Sequence, residues 1–276
     1  MPHLRSLLVV LALVLLGPAE GRSADLPPLE ALTERISLAL GGVDGGAKAL
    51  AAANEFEFVY RRTLHEVLSD DEITADHRFV TEAGGSRVRL DIRIVRGKGE
   101  DSATLLDGDQ AHLLTQGKSH SIAVEAVRSR LAEFGPDHLF SVPLALASDG
   151  RRLLGDTDLS VQEKIVDAAG ARIVLVAVDD AGAETARIEV DAKTYRPTAV
   201  SFRSPAGQVA YRYADYREVA PGLIVPFERE FSRNGRTVSV TKVVRFRLKA
   251  PEDPSRFDPK AVSLPPIPKV PPPPKP

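Results

Sequence analysis

The chain of 276 residues carries 36 basic and 38 acidic side chains, which gives a formal net charge of −2. This balance offers no field that would attract nucleic acid or an anionic membrane, and an aromatic content of 5% without tryptophan argues against a stacking platform for bases. Cysteine is absent, which excludes disulfides, thiol catalysis and the acylated thiol of a lipoprotein. The fold must therefore be stable through its core alone.

Residues 1–24 have the pattern of a secretory signal peptide. Arg5 precedes the apolar run Leu7–Leu16, Gly17-Pro18 breaks that run, and small residues between Ala19 and Ala24 offer cleavage points. Ten apolar residues are too few to cross a hydrocarbon core of about 30 Å at about 1.5 Å per residue. We expect export to the periplasm and no permanent membrane anchor; an uncleaved N-terminal anchor is the alternative.

Helical spacing of apolar residues follows. It runs from Leu29 to Leu40 and ends at Gly41-Gly42, a pair suited to a helix C-cap. A short helix is predicted at 45–54, and another from about Val124 to Phe134, where Gly135-Pro136 stops it.

Alternating apolar residues predict strands over most of the remaining chain. In "SRVRLDIRIVR" four apolar residues alternate with charged ones, a pattern that a helical step of about 100° would scatter. "EFEFVYRR" alternates in the same way, "SATLLD" and "QAHLLT" flank Gly108-Asp109, and seven more segments follow from Leu159. Asn234-Gly235 is the strongest hairpin signal. The pattern predicts an antiparallel sheet with one covered face.

The stretch around Asp107-Gly108-Asp109 has two interpretations. His112 and His120 would face each other across a hairpin and bind a metal with one of these aspartates, or Asp-Gly simply turns the chain. Because similar Asp-to-Gly turns recur later in the chain, we favour the turn. Hydrolase, dinucleotide-loop and Walker A motifs are absent. We therefore expect no metal, no cofactor and no enzymatic activity.

Two runs of strand and turn residues carry a resemblance to a known family. One is D-x-x-T-x-x-P at Asp191, Thr194 and Pro197, and the other extends from Tyr213 to Pro226. With the signal peptide, first helix and Asp-Gly hairpin, the chain resembles a divergent outer-membrane lipoprotein-sorting protein of the LolA/LolB-like group. The resemblance implies a mainly β (α+β) fold over residues 25–258, a half-open antiparallel β-barrel of about 10–11 strands. N-terminal and mid-chain helices would close its apolar concave face.

The resemblance also implies a site. Carriers of this family hold acyl chains on the concave face, use no cofactor and catalyse nothing, and a buried arginine bonds to their helical lid. Arg87, three residues after Gly84, is the nearest match for that arginine. Alternatively, the apolar strand residues simply pack on the first helix, although a helix and a ligand can share one cavity. The predicted lipid-binding residues are Leu32, Ile36, Phe56, Phe58, Tyr60, Val88, Leu90, Ile92 and Ile94.

These patterns predict a monomeric, soluble periplasmic carrier of lipoprotein acyl chains or lipid. The alternative is a sensor or scaffold of the same fold that binds an envelope protein partner. Eight prolines in the last twelve residues cannot join a sheet, so we expect residues 259–276 to be a disordered tail. In the alternative, that tail would be the docking peptide.

Overall fold

The computed structural model describes residues 26–42, 55–66, 71–82, 85–135, 139–140, 142–143, 159–167, 170–178, 181–205, 207–249, 253 and 255–260. The predicted signal peptide, the predicted helix at 45–54 and all but the first two residues of the predicted tail lie outside these ranges. The domain boundaries at both ends therefore stay predictions.

Two helices and thirteen strands make up the described fold. Both helices were predicted: α1 spans Leu29–Ala39 and α2 spans Val124–Phe134. The strands are β1 Phe56–His65, β2 Glu72–Glu82, β3 Arg87–Arg96, β4 Ser102–Asp107, β5 Gln110–Thr115, β6 Lys118–Ser121, β7 Leu159–Asp167, β8 Gly170–Val178, β9 Glu184–Asp191, β10 Pro197–Ser204, β11 Gly207–Ala220, β12 Leu223–Arg233 and β13 Arg236–Arg247.

The strands form one antiparallel sheet in the order β6-β5-β4-β3-β2-β1-β13-β12-β11-β10-β9-β8-β7. Eleven of the neighbouring pairs are consecutive in the chain, whereas the pairing of β1 with β13 joins the first half of the chain to the second. β6 and β7 are the two edges of the sheet as described, so the sheet is an open barrel. The mainly β fold inferred from the sequence is confirmed.

Two strands escaped the sequence pattern. β2 lacks alternation because its central residues, Asp76, His77 and Arg78, are all buried although they are polar. Their partners lie on the neighbouring strand β1: Asp76 pairs with Arg61 at 2.7 Å, Arg78 pairs with Glu57 at 2.8 Å, and His77 stacks on Tyr60. β6, "KSHS", is short and fully exposed, so it has no apolar period to recognise.

The two faces of the sheet differ in what covers them. We call the face that carries Tyr60, Leu90 and Val200 the inner face, and the face that carries Glu57 and Arg89 the outer face. On the inner face, Val127 and Leu131 of α2 belong to one cluster with residues of β1–β5, β12 and β13 and with Leu139 and Phe140. α1 packs on the other half of the same face, against β8–β11. We call these two packed regions the α2 cluster and the α1 cluster.

The residues that carried the family resemblance hold α1 in place. The Asp191 carboxylate accepts hydrogen bonds from the Thr194 amide at 2.6 Å and the Thr194 hydroxyl at 2.8 Å. Although burial opposes it, these bonds hold the pKa of Asp191 below its usual value. The turn that they close presents Tyr195, whose hydroxyl accepts from Arg35 of α1 at 2.6 Å. D-x-x-T-x-x-P is thus a turn that docks the first helix.

The end of α1 lies directly against the turn between β11 and β12. Gly41 has a φ of 105°, and a Cβ placed there would lie 1.7 Å from the carbonyl oxygen of Gly222. Only glycine fits such an approach. The predicted C-cap at Gly41-Gly42 is confirmed and has a second role in packing. No helix in the described part of the chain is long and apolar enough to cross a membrane.

Candidate functional site: the inner face of the sheet

The structure divides the predicted lipid-binding residues between two places. The strand residues lie together in the α2 cluster: Phe56, Phe58, Tyr60, Val88, Leu90 and Ile92 are buried there, and Ile94 packs at its margin. Leu32 and Ile36 belong instead to the α1 cluster. The alternative prediction was that the β3 residues pack on the first helix. In the structure they pack with residues of α2 instead.

Aromatic rings dominate the α2 cluster. Phe56 stacks on Phe79 with ring centroids 5.8 Å apart, and Phe58 meets Phe246 edge-on at 5.5 Å and Phe140 at 5.4 Å. Sequence reasoning missed Phe79, Phe140 and Phe246 as members of this surface. Alternation along β13 was visible, but only the β1–β13 pairing shows that Phe246 stands opposite Phe58.

α2 covers this aromatic surface mainly through apolar contacts. Val127 and Leu131 are buried, the N-terminal end of the helix has no side-chain cap, and the Gly135 amide caps the C-terminal end by donating to the Leu131 carbonyl. At its C-terminal end the Tyr60 hydroxyl donates to the carbonyl of Phe134 at 3.2 Å, and the Arg62 guanidinium lies 5.9 Å from the Phe134 ring. Apolar packing is not directional, so this helix can shift without breaking a dense hydrogen-bond network.

Polar side chains stand at the centre of the inner face, beside the α2 cluster. We call Tyr60, Arg62, His77, Tyr213 and Arg229 the inner polar patch. The His77 ring stacks on Tyr60 at 4.6 Å and on Phe134 at 5.4 Å. Burial, together with the nearby charges of Arg62 and Arg130, lowers the pKa of His77 to about 3. Burial likewise raises the pKa of Tyr60 and of Tyr213, so both phenols stay protonated donors.

Arg87, the predicted lid-contacting arginine, lies on the outer face. Its guanidinium is 3.4 Å from Glu82 and 3.3 Å from Asp107, and it covers the Phe257 ring at 4.2 Å. The partners in these contacts lie on β2, on β4 and in the turn at 255–257. Arg62 is instead an arginine that contacts a helix, and nothing in the local sequence of β1 distinguishes it from Arg61.

The outer face of β1–β3 holds a buried network of charges. Glu57 and Asp91 are fully buried, the former paired with Arg78 and the latter with Arg89 at 2.6 Å. Hydrogen bonds from Arg78 and Arg245 outweigh the burial that opposes them and lower the pKa of Glu57. The turn at 255–257 closes the network, because buried Arg256 pairs with Glu82 and accepts a hydrogen bond from Arg89 at its carbonyl. This network fastens the C-terminal segment to the sheet.

The alternative metal site at the β4–β5 hairpin does not form. His120 pairs with Leu113 whereas His112 pairs with Ser121, so the two rings project from opposite faces. Asp107 and Gln110 close a two-residue turn in which Gly108 has a φ of 62°. The described residues contain no group of three potential ligands that would hold a metal ion.

Comparison of the sequence with protein-family models and with curated proteins finds no match. Among solved structures, the chain is similar to a LolA superfamily protein from Nitrosomonas europaea, with 13% identity, a TM-score of 0.41, and coverage of 84% of this chain and 98% of that one. A putative outer membrane lipoprotein-sorting protein domain from Vibrio parahaemolyticus matches at 13% identity, with a TM-score of 0.40 and coverage of 78% and 94%. A DUF1329 family protein from Desulfovibrio piger matches at 10% identity, with a TM-score of 0.44 and coverage of 86% and 100%.

The likeness to these structures concerns the fold, and the case for a ligand rests on the residues of this chain.

Proposed function

We propose that this protein is a non-catalytic periplasmic carrier that binds acyl chains of lipid or lipoprotein on the inner face of its open sheet. One observation carries the proposal: aromatic and aliphatic residues of β1–β5, β12 and β13 form one continuous apolar surface, which in the described part of the chain is covered by α2 and by Leu139 and Phe140. An acyl chain gains about 0.8 kcal/mol for each buried CH₂, so it competes with α2 for such a surface without needing polar contacts.

The way in which α2 is attached to the sheet supports the proposal that a ligand can displace this helix. Val127 and Leu131, both buried, are the aliphatic residues that α2 contributes to this largely aromatic cluster. Displacing α2 together with Leu139 and Phe140 would expose Phe58 and Phe79, and an acyl chain in the same place would restore their burial. The carrier thus exchanges one apolar contact for another at small net cost.

Native mass spectrometry of the protein purified gently from a bacterial periplasm, followed by lipid extraction, tests this directly. We expect a bound mass of acyl-lipid size that detergent displaces. A clean apo mass, unchanged after incubation with phospholipid and lipopeptide, would contradict the carrier. Loss of a co-purifying protein on deleting residues 265–276 would then support the alternative, a scaffold that uses its Pro-rich tail.

A pair of variants on β3 locates the binding surface. Ile92→Asn places an amide in the α2 cluster, where the side chain is 9% exposed, and should weaken binding of a fluorescent fatty acid about tenfold through lost apolar contact. Val95→Asn on the same strand is the matched control, because Val95 is 49% exposed. Equal affinities for the two variants, with far-UV circular dichroism intact, would place the ligand elsewhere.

A further inference from the structure

Two arginines of the inner polar patch lie in one row across the sheet. Arg62 on β1 and Arg229 on β12 both stand opposite Thr241 of the strand between them, β13. Directly paired residues share a face, so both arginines project from the inner face. Neighbouring strands are about 4.8 Å apart, which puts the two backbone positions roughly 10 Å apart. Two side chains of arginine length converge easily over such a gap.

In the described part of the chain, these two arginines contact aromatic rings and phenols, not carboxylates that accept their hydrogen bonds. Arg229, only 9% exposed, lies 4.5 Å from the ring centre of Tyr211 and bonds to the hydroxyl of Tyr213. Arg62 lies over Phe134. The Nε atoms of both arginines are buried and have no hydrogen-bond partner among the described residues.

The outer face of the same sheet shows the usual arrangement for buried arginines. There, Arg78 donates to Glu57 at 2.8 Å and Arg89 donates to Asp91 at 2.6 Å. On the inner face, the acid that interacts with Arg62 is Glu133 of α2. Its side chain is exposed, and it attracts the Arg62 charge electrostatically without a hydrogen bond. Among the described residues, the carboxylates therefore pair with the outer arginines, whereas the two inner arginines contact aromatic rings and a phenol.

Such an arrangement suits an anionic ligand. Burying a cation is costly unless it is paired, and here each arginine opposes the charge of the other. The planar guanidinium donates in a fork that matches the oxygens of a carboxylate or phosphate. Protonated Tyr213 stands beside Arg229 as a further donor, and apolar clusters lie on either side.

We propose that Arg62 and Arg229 bind the oxyanion headgroup, carboxylate or phosphate, of an acyl ligand whose chain lies on the apolar inner face. This inference rests on the proposed carrier function and adds the class of ligand. It also assigns the inner arginines a role distinct from that of the outer arginines, which stabilise the fold.

Displacement of the neutral dye Nile red from the full-length protein tests the headgroup. The competitors share one chain length: dodecanoate, dodecyl phosphate and 1-dodecanol, with inorganic phosphate as the free anion. We expect the two anionic amphiphiles to compete about ten- to a hundredfold better than the alcohol, as charge-assisted hydrogen bonds imply.

Replacement of both arginines by Met should abolish that preference while dodecanol competes as before. Replacement of both by Lys should restore part of it, since charge remains and the fork geometry does not. Arg93→Met is the matched control, because Arg93 is a partly exposed arginine of the outer face, and it should keep the wild-type preference. Circular dichroism verifies the fold of each variant.

Each remaining outcome overturns the inference in a recognisable way. Equal competition by dodecanoate and dodecanol, or a preference that survives in the Met variant, refutes the headgroup site and leaves the carrier standing. Inorganic phosphate competing as well as dodecyl phosphate shows a free-anion site instead. Failure of every amphiphile to displace the dye removes the carrier function itself, and the inference with it.

Discussion

His77→Phe should make the protein more resistant to acid. The ring of His77 is 4% exposed and stacked between Tyr60 and Phe134. A pKa of about 3 in the folded state, against an ordinary value of 6.5, means that below pH 6.5 the unfolded chain takes up a proton that the native ring refuses. Stability is therefore fully present above pH 6.5 and falls as the pH drops towards 3.

The size of the effect follows from that window. Each pH unit within it removes about 1.4 kcal/mol, so lowering the pH from 7 to 4 should cost about 3 kcal/mol through His77 alone. Phenylalanine keeps the stack and cannot be protonated, and as a swap of similar volume it should cost under about 1.5 kcal/mol at pH 7.

Urea unfolding at pH 7 and pH 4, followed by far-UV circular dichroism, measures the difference. Carboxylates titrate in both proteins and cancel in the comparison, so the variant should lose about 3 kcal/mol less than the wild type. His65→Phe, at a ring that is 39% exposed, is the control and should retain the wild-type loss. If His77→Phe loses as much stability as the wild type, the native ring is not held neutral by burial and the reasoning is wrong.

Two further predictions concern the docking of chain segments. Gly41→Ala should lower the free energy of unfolding by about 2 kcal/mol or more, because its Cβ would overlap the Gly222 carbonyl. Gly42→Ala, whose Cβ would meet no atom of the described residues nearer than 4.0 Å, should cost only about 1 kcal/mol from its positive φ. Equal losses in thermal melts would contradict the close approach. Arg256→Ala should cost about 2–4 kcal/mol by urea unfolding, because it removes a buried partner of Glu82. A loss under about 0.5 kcal/mol would show that the C-terminal turn does not fasten to the sheet.

Much of the fold could be predicted from the sequence, because the patterns that indicate strands, helices and turns extend over only a few residues. The alternation along β3 and the helical period of α1 reflect one covered face each, and Asn234-Gly235 turns the chain with φ values of 51° and 75°. Strand β2 could not be predicted in this way. Its buried Asp76, His77 and Arg78 break the apolar period, and their partners lie on other strands.

The candidate site was predicted only in part, for the same reason. The apolar residues of β1 and β3 were correctly grouped, since one strand's alternation places them on one face. Leu32 and Ile36, predicted for the same cavity, lie in the α1 cluster, because spacing shows that a helix has an apolar side but not which strands that side meets.

The sequence by itself determined the strand and helix periods and most of the turns, since each depends on neighbours within a few residues. Its composition alone excluded cysteine chemistry. The tertiary structure decided which helix covers which half of the sheet, and it alone brought Arg62 and Arg229 opposite Thr241. That row forms where β13 pairs with β1, far away in the chain. Such a pairing is selected by the burial of whole faces rather than by local pattern.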